Sequence, residues 1–116
     1  MKIIEHFVDG KKYRGNSKNL SSVFNPATGE ETAKVILGNS DDLNKAVANA
    51  KEAFHGWSNT PPLQRARILF KYKDLIEKNA DELTKIIVSE HGKVYEDAKG
   101  SLKRGLEVVE LSLIHI

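Results

Sequence analysis

Ser40-Asp41-Asp42-Leu43-Asn44-Lys45-Ala46-Val47-Ala48-Asn49-Ala50-Lys51-Glu52-Ala53-Phe54-His55-Gly56-Trp57 divides the chain into two textures. Leu43, Ala46, Val47, Ala50, Ala53, Phe54 and Trp57 fall at the spacing that lines up side chains on one stripe of an α-helix. Ser40 is a good N-cap, and Asp41 and Asp42 follow where the helix dipole favours negative charge. Upstream of this helix the chain reads as short strands and turns. Downstream, as far as residue 111, it keeps a helical period.

Working upstream, Glu31–Leu37 reads as a strand ending at Gly38-Asn39. Before it, Asn25-Pro26-Ala27-Thr28-Gly29 is a turn. Proline presets φ for the second turn position, and asparagine suits the first. Leu20–Phe24 is a short strand, preceded by the polar loop Arg14–Asn19. Asp9-Gly10, set between β-compatible residues in Phe7–Tyr13, tolerates the positive φ angles of a tight hairpin turn.

Working downstream, a second helix starts after Thr60 with Pro61 and Pro62 in its first turn, where an amide hydrogen is dispensable. Leu63, Ala66, Leu69, Phe70 and Ile76 trace its apolar face, with Lys73 at the edge. Asn79 is expected to cap a third helix that carries Leu83, Ile86 and Ile87 and stops at Gly92. A fourth helix runs from about Val94 through Ala98, Leu102, Leu106 and Val109. It contains Gly100 and Gly105, each unfavourable by about 1 kcal/mol against alanine in a helix interior. Close approach by another backbone or a ligand is the expected reason. The resulting class is α+β: an N-terminal hairpin and strands, then four amphipathic helices.

Composition narrows the chemistry. Eighteen basic and 16 acidic residues leave a formal charge of +2, which gives no signal for nucleic acid or an acidic membrane surface. No run approaches the roughly 18 apolar residues of a spanning helix. The absence of cysteine removes disulfides, thiolate metal sites and a cysteine nucleophile together. No G-x-S-x-G, G-x-G-x-x-G or G-x-x-x-x-G-K-[ST] run is present. His6, His55, His91 and His115 are scattered, with no metal-ligand spacing. Asp41/Asp42 and Asp81/Glu82 read as helix-start charges, and Phe54 and Trp57 as core. Arg65 and Arg67 point to different faces and read as solvated or ion-paired. Arg104 stands apart. Gly100, four residues before it, leaves one side clear for a two-pronged donor that fits a carboxylate; pairing with Glu107 is the plainer reading.

The ordered set of motifs carries more information than any one of them. Phe7-Val8-Asp9-Gly10-Lys11 is followed by Asn25-Pro26-Ala27-Thr28-Gly29-Glu30, then by Ala46–Trp57 and Arg65-Ala66-Arg67-Ile68-Leu69. Glu90-His91-Gly92-Lys93 and Lys103-Arg104-Gly105-Leu106-Glu107-Val108-Val109-Glu110 complete the set. Over residues 1–110 this resembles the N-terminal quarter of the aldehyde dehydrogenase superfamily. The Arg-Ala-Arg-Ile-Leu-Phe run and the Arg-Gly-Leu-Glu helix most resemble its CoA-acylating methylmalonate-semialdehyde dehydrogenases.

The resemblance implies an α/β enzyme with a Rossmann-like NAD domain, of which residues 1–110 are the N-terminal part. It implies NAD as cofactor, coenzyme A as co-substrate, and a homo-oligomer when full length. The implied reaction takes malonate or methylmalonate semialdehyde to acetyl- or propionyl-CoA through a cysteine thiolate. The nucleophile, the acid/base glutamate, the oxyanion asparagine and the dinucleotide loop have no counterpart here, so the chain alone is expected to be inactive. One family residue carries over: by resemblance, Arg104 pairs with the substrate's carboxylate.

Leu111-Ser112-Leu113-Ile114-His115-Ile116 departs from the family pattern and resembles a translated sequencing adaptor. It is expected to be a non-native tail on a truncated reading frame, leaving apolar helix stripes exposed and the polypeptide aggregation-prone. The opening residues carry no visible secretory signal, so the expected location is the cytoplasm, or the mitochondrion if a presequence is missing. Two other readings compete: a small helical protein-interaction module, and an aldehyde dehydrogenase subfamily that oxidises its aldehyde to an acid. A nucleic-acid binder is the weakest reading.

Overall fold

The computed structural model describes residues 1–114, with the side chain of Ile114 left aside. The described chain forms two compact units, Met1–Asn59 and the helices from Thr60 onward. None of its helices is long and apolar enough to cross a membrane.

The first unit contains strands β1 (Lys2–Ile4), β2 (His6–Val8), β3 (Lys11–Tyr13), β4 (Leu20–Phe24) and β5 (Glu31–Ile36), then helix α1 (Ser40–Asn59). β2 and β3 pair antiparallel, with His6 opposite Tyr13. Asp9 at φ 56° and Gly10 at φ 70° supply the two positive angles that a tight hairpin turn needs. β5 is the centre of a three-stranded sheet in the order β1-β5-β4. β4 runs antiparallel to it, with a register shift between Val23 and Phe24. The β4–β5 turn is built by Asn25, whose side-chain Oδ1 accepts from the Ala27 amide at 2.9 Å and whose carbonyl accepts from Gly29 at 2.8 Å. Ala33 and Ile36 of β5 are buried. β1 is absent from the sequence-based expectation. It is three residues long and pairs parallel with β5, Lys2 opposite Ala33, so no local pattern announces it.

The second unit contains α2 (Pro62–Lys78), α3 (Ala80–His91) and α4 (Tyr95–Ile114). α4 packs against both α2 and α3. The buried residues are small: Ala66, Thr84 and Ala98, the last two with 0% exposure. Small side chains let helix backbones approach closely. The Thr84 hydroxyl is satisfied within its own helix, donating to the Ala80 carbonyl at 2.7 Å. Gly92, at φ 79°, closes α3 in the left-handed conformation expected of a C-terminal glycine. α4 continues through Leu111, Ser112 and Leu113. Residues 115 and 116 of the expected tail, His115 included, lie outside the described residues.

Three expectations need correction. The cap of α1 is Asn39, not Ser40: the Asn39 carbonyl accepts the first helical bond, from Leu43 at 3.0 Å. Asn79 does not cap α3 with its side chain. Its Nδ2 donates to the Leu75 carbonyl at 2.7 Å and so closes α2 instead. Phe54 and Trp57 are not core residues here, being 61% and 41% exposed. They share an open stripe with Leu43 and Val47, and Asp42 is the buried residue of α1.

Candidate functional site

Among the described residues, Asp42 in the first unit and Asp81 and Lys73 in the second each gather several polar partners, and Lys93, before α4, and Arg104, on it, share one hydroxyl. Asp42 is 6% exposed. Its Oδ1 accepts from the Asn16 amide at 2.9 Å and from the Tyr13 hydroxyl at 3.1 Å. Its Oδ2 accepts from the Asn39 amide at 3.2 Å, while Asn39 Oδ1 accepts from the Asp42 amide at 3.0 Å. This is a reciprocal helix cap with two further donors added. The Asn16 and Asn39 amides hold the Asp42 carboxyl below its ordinary pKa, against the opposing effect of burial. Burial, then the Asp42 carboxylate, push the Tyr13 phenol up. Gly15 is required here: at φ 74°, a Cβ on it would stand 2.5 Å from Asp42 Oδ1.

Beside this latch lies a cavity of about 670 Å³ lined by His6, Phe7, Tyr13, Gly38, Asp42 and Leu43, among others. His6 Nε2 is buried with no hydrogen-bond partner among the described residues. Asp42 accepts three hydrogen bonds from the hairpin, the loop and its own helix start, so it serves as a structural tie rather than as an acid or base.

In the second unit, Asp81 accepts from the Tyr95 hydroxyl at 2.7 Å and pairs with Lys85 at 2.6 Å. Lys85, then Tyr95, hold the Asp81 carboxyl low. Lys73 reaches Glu77 at 3.0 Å and Glu110 at 3.4 Å, linking α2 to α4, and the hydrogen bond to Glu77 leads in raising its pKa. Asp81 thus acts as a helix-start charge and also ties α3 to α4. Arg65 is half-buried, with its Nε unpartnered among the described residues, whereas Arg67 is exposed.

Arg104 lies on the exposed side of α4. Its guanidinium turns back along the helix and Nη2 donates to Ser101 Oγ at 3.0 Å. The pairing with Glu107 is not formed. Nη1 would lie 3.7 Å from a Cβ built on Gly100, an ordinary contact, and a Cβ on Gly105 would meet nothing within 4 Å. No close approach within the described unit therefore demands either glycine. Lys93, just past the Gly92 turn, donates to the same Ser101 Oγ at 2.9 Å. The structure thus brings Lys93 and Ser101 to Arg104, a convergence that sequence separation concealed. Ser101 also borders a cavity of about 300 Å³ walled by Tyr72, Ile76, Ile87, Leu102 and Leu106, among others.

The helix N-termini do not suit a dinucleotide. A helix start holds a pyrophosphate through free amide donors. The start of α1 is closed by its own Asp42 and Asn39. α2 opens at Pro62, behind Pro61 as its N-cap, and α3 and α4 open with Asp81, Glu82, Glu96 and Asp97. Among the described residues, no helix start is therefore arranged to hold the pyrophosphate of NAD. Among the described residues no group of His, Asp and Glu is placed to hold a metal ion.

Comparison with known proteins gives the family. The aldehyde dehydrogenase family model matches residues 13–115. A malonate-semialdehyde dehydrogenase of Pseudomonas aeruginosa is 44% identical over 110 residues, covering 95% of this chain and 22% of the relative. A methylmalonate-semialdehyde dehydrogenase structure from Oceanimonas doudoroffii superposes with a TM-score of 0.93 at 42% identity, covering 97% of this chain and 23% of its own. A Sinorhizobium meliloti protein assigned to the same activity and crystallised with NAD gives 0.94 at 44%, with 97% and 23% covered. The chain spans less than a quarter of the length of these relatives. With its strands followed by helices superposing on theirs and the family model matching most of its length, this chain belongs to the aldehyde dehydrogenase family.

Proposed function

We propose that this chain is a segment of an NAD-dependent, CoA-acylating semialdehyde dehydrogenase that acts on malonate or methylmalonate semialdehyde. Residues 1–110 then form the N-terminal part of its NAD-binding domain. Residues outside this chain supply the thiolate and the NAD and coenzyme A sites, and the segment alone is inactive. Its own contribution is Arg104, which pairs with the substrate's carboxylate through a planar fork of donors.

One observation carries the reading: the Arg104 guanidinium lies on an exposed helix face with no carboxylate partner among the described residues. Relatives named for carboxylate-bearing aldehydes, 44% identical along 95% of the chain, support the reading.

A chimera tests it. Residues 1–110 replace the matching segment of the Pseudomonas aeruginosa relative, and turnover of malonate semialdehyde is followed through NADH. The chimera is expected to be active. Arg104→Ala is expected to raise KM for the semialdehyde while leaving NAD affinity unchanged. Equal loss for both ligands refutes the role.

A further inference from the structure

We infer that Lys93, Ser101 and Arg104 form one carboxylate-binding site, in which the Ser101 hydroxyl sets the positions of two cations. The inference rests on the Arg104 reading above. It adds Ser101 as a positioning residue and Lys93 as a second cation.

Lys93 Nζ and Arg104 Nη2 both donate to Ser101 Oγ, at 2.9 and 3.0 Å. A hydroxyl has two acceptor lone pairs and one proton to donate. Both lone pairs are used here, so what the group presents to a ligand is donors alone: the Ser101 O–H, the remaining ammonium protons and the rest of the guanidinium fork. Ser101 makes no bond to a carbonyl of its own helix among the described residues, unlike Ser112, which donates to Val108 at 3.1 Å.

Contrast within the same unit sharpens the point. Lys73 and Lys85 are each held by carboxylates, at 3.0 and 2.6 Å. Lys93 and Arg104 are held by a neutral oxygen, and neither forms an ion pair among the described residues. Two like charges brought to one atom repel, and an anion between them relieves the repulsion. Geometry fixes both approaches. The left-handed Gly92 turn delivers Lys93 to the start of α4, and Arg104 folds back over Gly100, where no side chain intervenes. The arrangement matches a planar carboxylate, with the Arg104 fork on one side and the ammonium on the other.

The test is a titration of the isotopically labelled chain with malonate, against malonamide as a neutral control of similar shape. Saturable shifts are expected at the Ser101 amide and the Arg104 Nε–H with malonate alone. Ser101→Thr keeps the hydroxyl and Ser101→Val has the same shape without it, so effects on folding cancel within the pair. The threonine variant is expected to bind like wild type and the valine variant at least fivefold more weakly. Lys93→Ala is expected to weaken binding similarly, with Lys99→Ala unchanged as a surface control. Absence of saturable binding in the wild type, or equal binding by the Thr and Val variants, overturns the three-residue site. If Arg104→Ala alone abolishes binding, the site falls and the Arg104 reading stands. If Arg104→Ala binds like wild type, both fall.

Discussion

Asn39 and Asp42 cap each other at the start of α1, side chain to backbone in both directions, at 3.0 and 3.2 Å. The same carboxylate also takes the Tyr13 hydroxyl and the Asn16 amide, so one side chain joins hairpin, loop and helix. Asp42→Ala leaves these donors without their acceptor. The amides of residues 16 and 39 should then lose hydrogen-exchange protection together, while the β4–β5 ladder keeps its own.

Acid should act at the same place. The folded-state pKa of Asp42 is lowered, so its stabilisation is complete above the unfolded value, about 3.9, and is lost as pH falls through the folded value. Chemical shifts of the Asn16 amide against pH should report that loss below about pH 4. In Asp42→Asn the transition should be absent.

Gly10 and Gly15 separate backbone strain from contact. Both have positive φ, but a Cβ on Gly10 meets nothing within 4 Å while one on Gly15 runs into Asp42. Gly10→Ala should cost about 1 kcal/mol from backbone strain alone. Gly15→Ala should cost clearly more and abolish the Asn16 protection that Asp42 provides. Denaturant melts of the two variants give the comparison.

Thr84 and Ala98 are both fully buried but should differ in how much a substitution costs. Thr84→Val keeps the shape and removes a hydroxyl bonded within its own helix, so the change should stay within about 1 kcal/mol. Ala98→Leu forces three extra carbons into a filled position and should destabilise the second unit by roughly 3 kcal/mol. Thermal melts followed by circular dichroism distinguish them.

Arg104→Lys keeps the charge and loses the fork. In the chimera, Arg104→Ala should raise KM for the semialdehyde roughly 10- to 100-fold, the worth of a charge-assisted pair. Arg104→Lys should fall between alanine and wild type. An uncharged aldehyde should show no dependence on this residue.

Local chemistry made much of this chain legible. Asp9-Gly10, Asn25–Gly29 and Gly92 announce their turns because backbone angles there depend on few residues. The helices follow from a period that each segment carries within itself, and the ordered motifs point to the family.

What tertiary structure alone decided depends on residues far apart in sequence. β1 exists because β5 offers it an edge. Asp42 looked like one of two acids at a helix start, and only the arrival of Tyr13 and Asn16 separated it from Asp41. The aromatic stripe of α1 is legible as a pattern, but burial requires a partner surface, and Phe54 and Trp57 stay 61% and 41% exposed. Arg104 stood out in the sequence. Its neighbours Lys93 and Ser101 did not, because a hydroxyl shared across eight residues needs the Gly92 turn and the α4 helix to form first. Period and turn chemistry are properties of short segments, whereas burial and convergence arise only when segments meet.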